Sequence, residues 1–366
     1  MKIVCTQENL NKGLALVSNI ANKSSNLPIL NNVLLKASKD GLTLITTDLE
    51  IGIKASIRGR IEQEGEFTVD AKLLNNFVSF LPRENIEINL EEDSLEIKSK
   101  NQETTIKGLE AEDFPLIPDM DKSNKVEISS VDLKKSLQQT LLAASLDSSR
   151  IEINAVNFDF QKDKLIMAAT DSYRLAEKKL NINNGAAHSL VVPLKTLQEL
   201  ARILGEQTDK NIKIYFNENQ ILFEFDGVEL ISRVIDGKYP DYSQIIPEEF
   251  STNAQCDISK LVPAIKSVAL FCKQGINDIR FSFDSKKNEI VIATASSGTG
   301  TSTAKVSAEI KGGDNDIVFN YRYLLDGLNQ LGSPEVILKI NNNSSPGLLQ
   351  PTNSKDYIYL VMPIRQ

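Results

Sequence analysis

Residues 164–173 read KLIMAATDSY, and two other stretches follow the same pattern: GLTLITTDLE at 41–50 and EIVIATASSG at 289–298. Each stretch alternates and ends in small hydroxylated residues, as a half-buried β-strand that runs into a tight turn does. The three copies recur with a period of about 120 residues, which indicates an internal repeat. We therefore expect a fold built from three similar units.

The residues around each copy repeat as well. An extended run precedes each copy, and each copy is followed by a short strand that feeds an amphipathic helix: FTVDAKLLNNFVSFLP (67–82), LVVPLKTLQELARILG (190–205) and IVFNYRYLLDGLNQLG (317–332). Asp70, Pro193 and Asn320 stand where these helices begin, in positions that suit a cap or a first-turn proline. Another helix opens each unit, at 8–21, 130–145 and 257–272.

The order within each unit is strand, helix, strands, helix, strands. Strong alternation is typical of antiparallel sheets with one solvated face, so the predicted class is α+β with three tandem repeats. Turn-forming residues at DMDKSNK and PEEFSTN mark the joins. The predicted domains are 1–122, 123–248 and 249–366.

Composition fits two or three packed domains, since 41% of the 366 residues are apolar and 25% are charged. No apolar run reaches the roughly 18 residues that a membrane helix needs, and the start MKIVCTQENL is polar by its sixth residue. The cysteines, Cys5, Cys256 and Cys272, lie far apart, which favours free thiols in a reducing compartment over disulfides or a zinc site. We expect a cytoplasmic protein with no membrane partner.

Nothing in the sequence predicts a catalytic residue, a metal or a cofactor. The single histidine, His188, lies in a polar connector, and nothing else in the sequence suggests a catalytic triad or a histidine-ligated metal. The stretch TASSGTGTSTAK (294–305) joins two strands and lacks the spacing of a phosphate loop. TDSYR (170–174) offers a hydroxyl, a carboxylate and an arginine but no base to activate a nucleophile.

Charge is unevenly distributed along the chain. The six predicted helices carry +4 and the remainder −12, for a net charge of −8. Solvated helix faces would explain this segregation, and so would a surface of helices that faces phosphates. On the second interpretation, Asn11, Asn75, Gln138 and Gln139 would contact phosphates through water, and binding would be weak, salt-sensitive and indifferent to sequence.

Two chains would supply six units and twelve helices. At a spacing of ~10 Å, twelve helices form a ring of roughly 120 Å circumference, which is about 38 Å in diameter between helix axes. Subtracting a helix diameter of ~10 Å leaves an opening of about 28 Å, enough to admit a DNA duplex.

Several stretches together carry a resemblance that spans essentially all 366 residues. They are LPIL (27–30), TDLE (47–50), EAEDFPLIP (110–118), AATDSYRLA (168–176), DGKYPDYSQIIP (236–247), FNYRYLLDGL (319–328) and YLVMPIRQ (359–366). The sequence resembles the family of the bacterial DNA polymerase III beta subunit, the sliding clamps. The resemblance implies a head-to-tail homodimeric ring around duplex DNA, with antiparallel sheets outside and two helices per repeat inside. Such a ring does no chemistry and holds the polymerase on its template.

The resemblance also implies a hydrophobic pocket that takes short peptides from DNA polymerase III alpha, other polymerases and the clamp loader. The implied pocket residues are Ile153, Thr170, Ser172, Tyr173, Arg174, Leu175, Pro240, Ile245, Ile276, Asn320, Tyr323, Ser345, Leu360, Val361, Met362, Pro363, Ile364 and Arg365. Leu360 and Met362 are expected to form the floor, while Arg174 and Arg365 would bind polar groups of the peptide. Core packing is the alternative for each residue.

The chain departs from the family pattern at the rim of this pocket. Ser172 and Tyr173 stand where Gly-His is common, and Gln244 stands where an arginine is common. The last residue, Gln366, replaces an apolar one. We therefore expect a bulkier rim and a shifted peptide preference.

Two further surfaces follow from the resemblance. The implied DNA contacts are Lys23, Ser24, Lys72, Arg150, Lys195 and Arg202. The implied dimer interface pairs an edge strand near Thr104 and Ile106 with the helix end at Leu270 and Phe271. An oligomeric interaction scaffold that does not encircle DNA is the alternative function; it keeps the repeats and the pocket but predicts no salt-dependent interaction with DNA.

Overall fold

The structure is a computed structural model, and it describes residues 1–21, 27–183, 187–205, 210–272, 275–294 and 300–365. Across these ranges the chain forms six α-helices and 26 β-strands. Every ladder between the described strands is antiparallel. The predicted α+β class is confirmed.

The elements follow the predicted order three times. The first repeat contains β1 (Lys2–Thr6), α1 (Gln7–Val17), β2 (Asn32–Ser38), β3 (Gly41–Thr47), β4 (Ile51–Ile57), β5 (Arg60–Gln63), β6 (Gly65–Asp70), α2 (Ala71–Phe80), β7 (Asn85–Glu91), β8 (Ser94–Lys98) and β9 (Glu103–Leu109). The second contains β10 (Lys125–Ser129), α3 (Ser130–Leu141), β11 (Ala155–Phe160), β12 (Lys164–Thr170), β13 (Arg174–Asn181), β14 (His188–Pro193), α4 (Leu194–Leu204), β15 (Asn211–Phe216), β16 (Gln220–Phe225) and β17 (Val228–Arg233). The third contains β18 (Thr252–Asp257), α5 (Ile258–Ala269), β19 (Asp278–Asp284), β20 (Glu289–Thr294), β21 (Thr303–Ser307), β22 (Glu309–Gly312), β23 (Asn315–Asn320), α6 (Tyr321–Gln330), β24 (Glu335–Ile340), β25 (Gly347–Pro351) and β26 (Tyr357–Val361).

The chain divides into two compact units: residues 1–131 with 199–234, called the N-terminal unit, and residues 132–198 with 235–366, called the C-terminal unit. The N-terminal unit contains one sheet in the order β10-β15-β16-β17-β4-β3-β2-β6-β9-β8-β7-β1-β5. The C-terminal unit contains a sheet β14-β11-β12-β13-β26-β25-β24-β18-β22 and a smaller one, β21-β20-β19-β23. The domain boundaries at 122 and 248 stay a prediction.

Successive repeats join through backbone ladders within each unit. In the N-terminal unit β17 pairs with β4, from Val228 opposite Ala55 to Ser232 opposite Ile51. In the C-terminal unit β26 pairs with β13 in the same way. Each repeat thus completes the sheet of its neighbour.

Side-chain caps begin several helices where the sequence predicts them. The Asp70 carboxylate accepts from the Leu73 amide at 2.7 Å, and the Asn320 side chain accepts from the Arg322 amide at 3.0 Å. These bonds satisfy amides that the first turn of a helix leaves without an intrahelical partner. The predicted starts of α2 and α6 are confirmed.

A close approach fixes α6 on β26. A Cβ at Gly327 would lie 2.3 Å from the Tyr359 ring, so only glycine allows this packing. The Tyr359 hydroxyl donates to the Tyr323 carbonyl at 3.0 Å. The contact therefore positions Tyr323 beside the end of β26.

Both buried cysteines, Cys5 and Cys256, are small core residues, as predicted. Burial raises the pKa of the Cys5 thiol to about 11 and that of the Cys256 thiol to about 12, so both thiols are protonated at neutral pH. Over the described ranges, the longest apolar helix is too short to span a bilayer.

Candidate functional site

A tight corner joins β12 to β13 at residues 170–174, here called the TDSYR corner. The Thr170 hydroxyl donates to the Arg174 carbonyl at 2.7 Å and accepts from the Ser172 amide at 3.1 Å. The Asp171 carboxylate accepts from the Tyr173 and Arg174 amides at 2.9 and 3.0 Å. Ser172 has φ 77°, a left-handed conformation that these bonds hold in place. The corner presents the Tyr173 side chain, 62% exposed, to solvent.

The C-terminal segment is bonded to this corner. The Met362 amide donates to the Tyr173 carbonyl at 2.8 Å, and the Ile364 amide donates to the Val318 carbonyl at 2.8 Å. Met362, Pro363 and Ile364 are half-buried. The apolar tail is thus held in place with part of its surface open to solvent.

Arg174 is braced by the protein itself. Its guanidinium pairs with Asp171 at 2.9 Å and with Asp326 at 2.5 Å, and its Cζ lies 4.6 Å from the centre of the Tyr323 ring. The Tyr173 ring stacks on Tyr323 with centroids 6.3 Å apart. Arg174 therefore orders the rim of the site, and its predicted contact with a peptide stays a prediction.

Five of the predicted pocket residues are buried supports beneath the surface. Leu175 and Leu360 form a core cluster with Leu348, against which Tyr242 and Ile246 pack. The other buried members of the predicted set are Ile153, Thr170 and Val361. Leu175 and Leu360 thus belong to the aliphatic core, and all five residues are too buried to form an open surface.

Other members of the predicted set are exposed. Ile245 and Ile276 are each 42% exposed, and Pro240 and Arg365 are exposed as well. A hollow of about 340 Å³ lies beside the tail, lined by Arg280, Asp316, Ile317, Val318, Asn343, Ser344, Ile364 and Arg365. Ser345 is half-buried and follows the lining directly, while Asn320 caps α6. The lining of this hollow is mostly polar, and the half-buried Ile364 is its one apolar side chain that is not buried.

Two tyrosines that the sequence analysis did not single out support the TDSYR corner and the strand that follows it. The Tyr239 hydroxyl accepts from the Thr170 amide at 2.9 Å, and the Tyr242 hydroxyl donates to Glu177 at 2.8 Å. Burial raises the pKa of both phenols above the ordinary value, and the charge of Glu177 adds to the rise at Tyr242. Both rings stay neutral in the physiological range. Both tyrosines lie in the stretch DGKYPDY, but the residues that they bond to precede them by 69 and 65 residues, so the sequence did not reveal these contacts.

The predicted DNA contacts are divided between the two units, and their contact with DNA stays a prediction. Lys72 and Lys195 are exposed on α2 and α4. Arg150 donates to the Ser172 hydroxyl at 2.9 Å, so its side chain lies at the TDSYR corner. Two predicted contacts fall outside the described residues: Lys23 and Ser24.

Arg202 has a structural role within the N-terminal unit. Its guanidinium donates to the Ala15 and Leu16 carbonyls at 3.0 and 2.7 Å, at the C-terminal end of α1. It also pairs at 2.6 Å with Glu199, whose side chain is 5% exposed. A cation at a helix C-terminus satisfies carbonyls that the last turn leaves open.

We expect Arg202→Ala to lower the free energy of unfolding by about 3 kcal/mol, because it removes the cation paired with the buried Glu199 carboxylate and leaves that carboxylate with the Asn19 amide donor. The measurement is urea unfolding monitored by circular dichroism. If the two units unfold in separate steps, the free energy is taken from the first step. Arg83→Ala, at an exposed arginine, is the matched control. A loss below about 0.5 kcal/mol, as for an ordinary surface residue, would show that the Arg202 contacts contribute nothing.

The predicted interface residues lie at an open strand edge and at a helix end. Glu103–Lys107 of β9 pair only with β8 among the described strands, so one side of this segment is open. Ile106 is buried and Thr104 half-buried. Beyond α5, Leu270 is 80% and Phe271 38% exposed.

Comparison with known families agrees with this architecture along the whole chain. Residues 1–118 match the family model of the DNA polymerase III beta subunit N-terminal domain, residues 127–241 that of the central domain, and residues 243–365 that of the C-terminal domain.

Individual relatives match from end to end. The chain is 35% identical over 375 residues to the beta sliding clamp of Synechococcus elongatus, covering 100% of this chain and 99% of the relative. The beta sliding clamp of Bacillus subtilis is 28% identical over 377 residues, with 100% of both chains covered. The crystal structure of the Bacillus subtilis DNA polymerase sliding clamp superposes with a TM-score of 0.95 at 27% identity, covering 100% of this chain and 99% of that one. The chain therefore belongs to the DNA polymerase III beta subunit family, the beta sliding clamps.

Proposed function

We propose that two copies of this chain close head to tail into a ring that encircles duplex DNA and slides along it. The ring catalyses no reaction. It tethers DNA polymerase III alpha, other polymerases and the clamp loader through short peptides that bind beside the TDSYR corner, in the cytoplasm. The chain provides this ring with three tandem domains, 1–122, 123–248 and 249–366.

The pair of unlike surfaces described above supports head-to-tail closure. Residues 103–107 of β9 have no strand partner on one side among the described strands, whereas Leu270 and Phe271 offer exposed apolar side chains. Two different surfaces on one chain produce a heterologous contact, and such contacts build closed rings when the rotation allows it. Burial of both surfaces by a second copy would also remove a strand edge that invites aggregation.

One observation carries the peptide site: the hydrogen bond from the Met362 amide to the Tyr173 carbonyl. It holds an apolar tail beside the exposed Tyr173. The buried Leu175 and Leu360, which neighbour the corner and the tail in the sequence, pack in one core cluster. A groove that is rigid before the ligand arrives loses little entropy when a peptide binds.

Encirclement is tested by topology. The protein is loaded onto a nicked circular plasmid with a clamp loader and ATP, and retention is followed by gel filtration in high salt. We expect retention on the circle and release when a restriction enzyme linearises it, because a closed ring leaves only over a free end. Retention that vanishes in salt irrespective of topology would mean ordinary electrostatic binding.

The scaffold function makes the opposite prediction in this assay. A scaffold that never surrounds DNA elutes apart from the circular plasmid, with the loader present or absent. It would still bind peptides at the TDSYR corner, so peptide binding alone does not separate the two functions.

A further inference from the structure

The N-terminal unit contains a second corner of the same construction, formed by residues 47–51 and here called the TDLEI corner. The Thr47 hydroxyl donates to the Ile51 carbonyl at 2.9 Å and accepts from the Leu49 amide at 3.0 Å. Asp48 accepts from the Glu50 and Ile51 amides at 3.1 and 2.7 Å. Leu49 has φ 77°, the value found at Ser172. The two corners correspond bond for bond.

The strand that closes this corner also corresponds. The Arg233 amide, at the end of β17, donates to the Glu50 carbonyl at 3.1 Å, as the Met362 amide donates to the Tyr173 carbonyl. Arg233 therefore occupies the position of Met362, and Glu50 that of Tyr173. Repetition has produced the framework of the peptide site twice, with different side chains at its rim.

A groove of about 380 Å³ lies beside the TDLEI corner. Its floor is tightly packed, since a Cβ at Gly52 would lie 2.7 Å from the Ile117 side chain and 3.2 Å from that of Ile231. Its edge is apolar and open: Leu116 is 95% exposed and Leu49 48%. Large aliphatic side chains left open around a concave surface mark an interaction site.

Two positions of the rim carry opposite charges where the equivalent positions of the TDSYR corner are uncharged. Arg233 and Glu50 both line the groove and are exposed. Within the described ranges neither side chain forms an ion pair, so both are available to a ligand. The equivalent positions in the C-terminal unit carry Met362 and Tyr173, which offer no charge.

We propose that this groove binds an extended segment of a partner protein in which an aliphatic residue stands between a basic and an acidic one. In an extended chain, residues i and i+2 point to the same side and the residue between them to the other. The aliphatic side chain would enter the groove between Leu49 and Leu116. The flanking charged side chains would leave the groove and pair at its outer rim with the exposed ends of Glu50 and Arg233. The inference rests on the proposed function only in taking a peptide as the ligand.

The test uses the full-length protein and the pentapeptide acetyl-Ala-Lys-Leu-Asp-Ala-amide, with photo-leucine in place of leucine. After irradiation, digestion and mass spectrometry locate the cross-links. We expect them at residues 47–52, 115–118 and 231–233. The proposal would be overturned by cross-links found only at residues 170–174 and 360–365, or by no cross-links at either site. Residues 115–118 of the chain itself would then occupy the groove and exclude a peptide.

Charge reversal separates a contact from a structural effect. Arg233→Glu is expected to lower the cross-link yield at this groove at least tenfold, and a second peptide with lysine in place of aspartate should restore it. Arg83→Glu, at an exposed arginine outside the groove, is the control and should leave the yield unchanged. Leu116→Asp should lower the yield too, and its nearly complete exposure makes misfolding no explanation. Equal yields in wild type and Arg233→Glu would refute the assignment.

A truncated protein distinguishes this inference from the proposed function. In a chain that lacks residues 362–366, cross-linking at the N-terminal groove should persist. Binding of the polymerase peptide at the TDSYR corner tests the proposed function in the same preparation. That binding should be lost in the truncated chain and present in the full-length one. This result, together with loss of cross-linking at the N-terminal groove, would refute the inference and leave the proposed function standing.

Discussion

Deletion of residues 362–366 is expected to abolish binding of the polymerase peptide, with an affinity at least about 100-fold lower, while the dimer remains. The deletion removes Met362, Pro363 and Ile364, which are half-buried against the TDSYR corner, together with the exposed Arg365. It spares β26, which ends at Val361. The deletion should therefore weaken peptide binding at the TDSYR corner and leave the β-sheet unchanged.

Isothermal titration with a peptide of the DNA polymerase III alpha subunit measures this affinity. Lys355→Glu, an exposed change in the same unit, is the matched control and should bind like wild type. Sedimentation of the truncated protein checks that the dimer persists. Undiminished affinity in the truncation would place the peptide site elsewhere.

The second large effect is expected at the ring interface. Leu270→Asp combined with Phe271→Asp should raise the dimer dissociation constant at least about 100-fold, because two carboxylates would replace apolar side chains in a buried seam. Leu270 is 80% exposed in the single chain, so its substitution costs the fold little.

Sedimentation equilibrium at micromolar concentration gives the result directly. The wild-type mass should be twice 40.6 kDa and the variant mass 40.6 kDa. Leu146→Asp, at a leucine 82% exposed, is the control and should remain dimeric. A variant that stays at the dimer mass would move the interface away from the end of α5.

The sequence predicted what depends on local pattern. Alternation and period were enough for the order of strands and helices in each repeat, and short polar side chains marked the starts of α2 and α6 at Asp70 and Asn320. The TDSYR corner was also readable, since its threonine and aspartate bond to amides two or three residues away.

Contacts between distant residues were not readable. Gln139 was expected to face phosphates, and that expectation was wrong: it is 2% exposed and donates to the Gln330 carbonyl at 2.8 Å. The role of Arg202 at the end of α1 depends on carbonyls more than 180 residues earlier. Leu73 has the helical spacing of a buried residue of α2, yet it is 54% exposed, so spacing alone did not identify the buried face. Each case depends on which element packs alongside, which a local pattern does not contain.

The ladders between repeats have a consequence for solubility. Without β17, the outer side of β4 would offer a row of free amides and carbonyls, and without β26 so would β13. Exposed edges of this kind template the growth of sheets between molecules. By pairing its repeats strand to strand, the chain covers both strand edges itself and leaves neither open to a strand of another molecule.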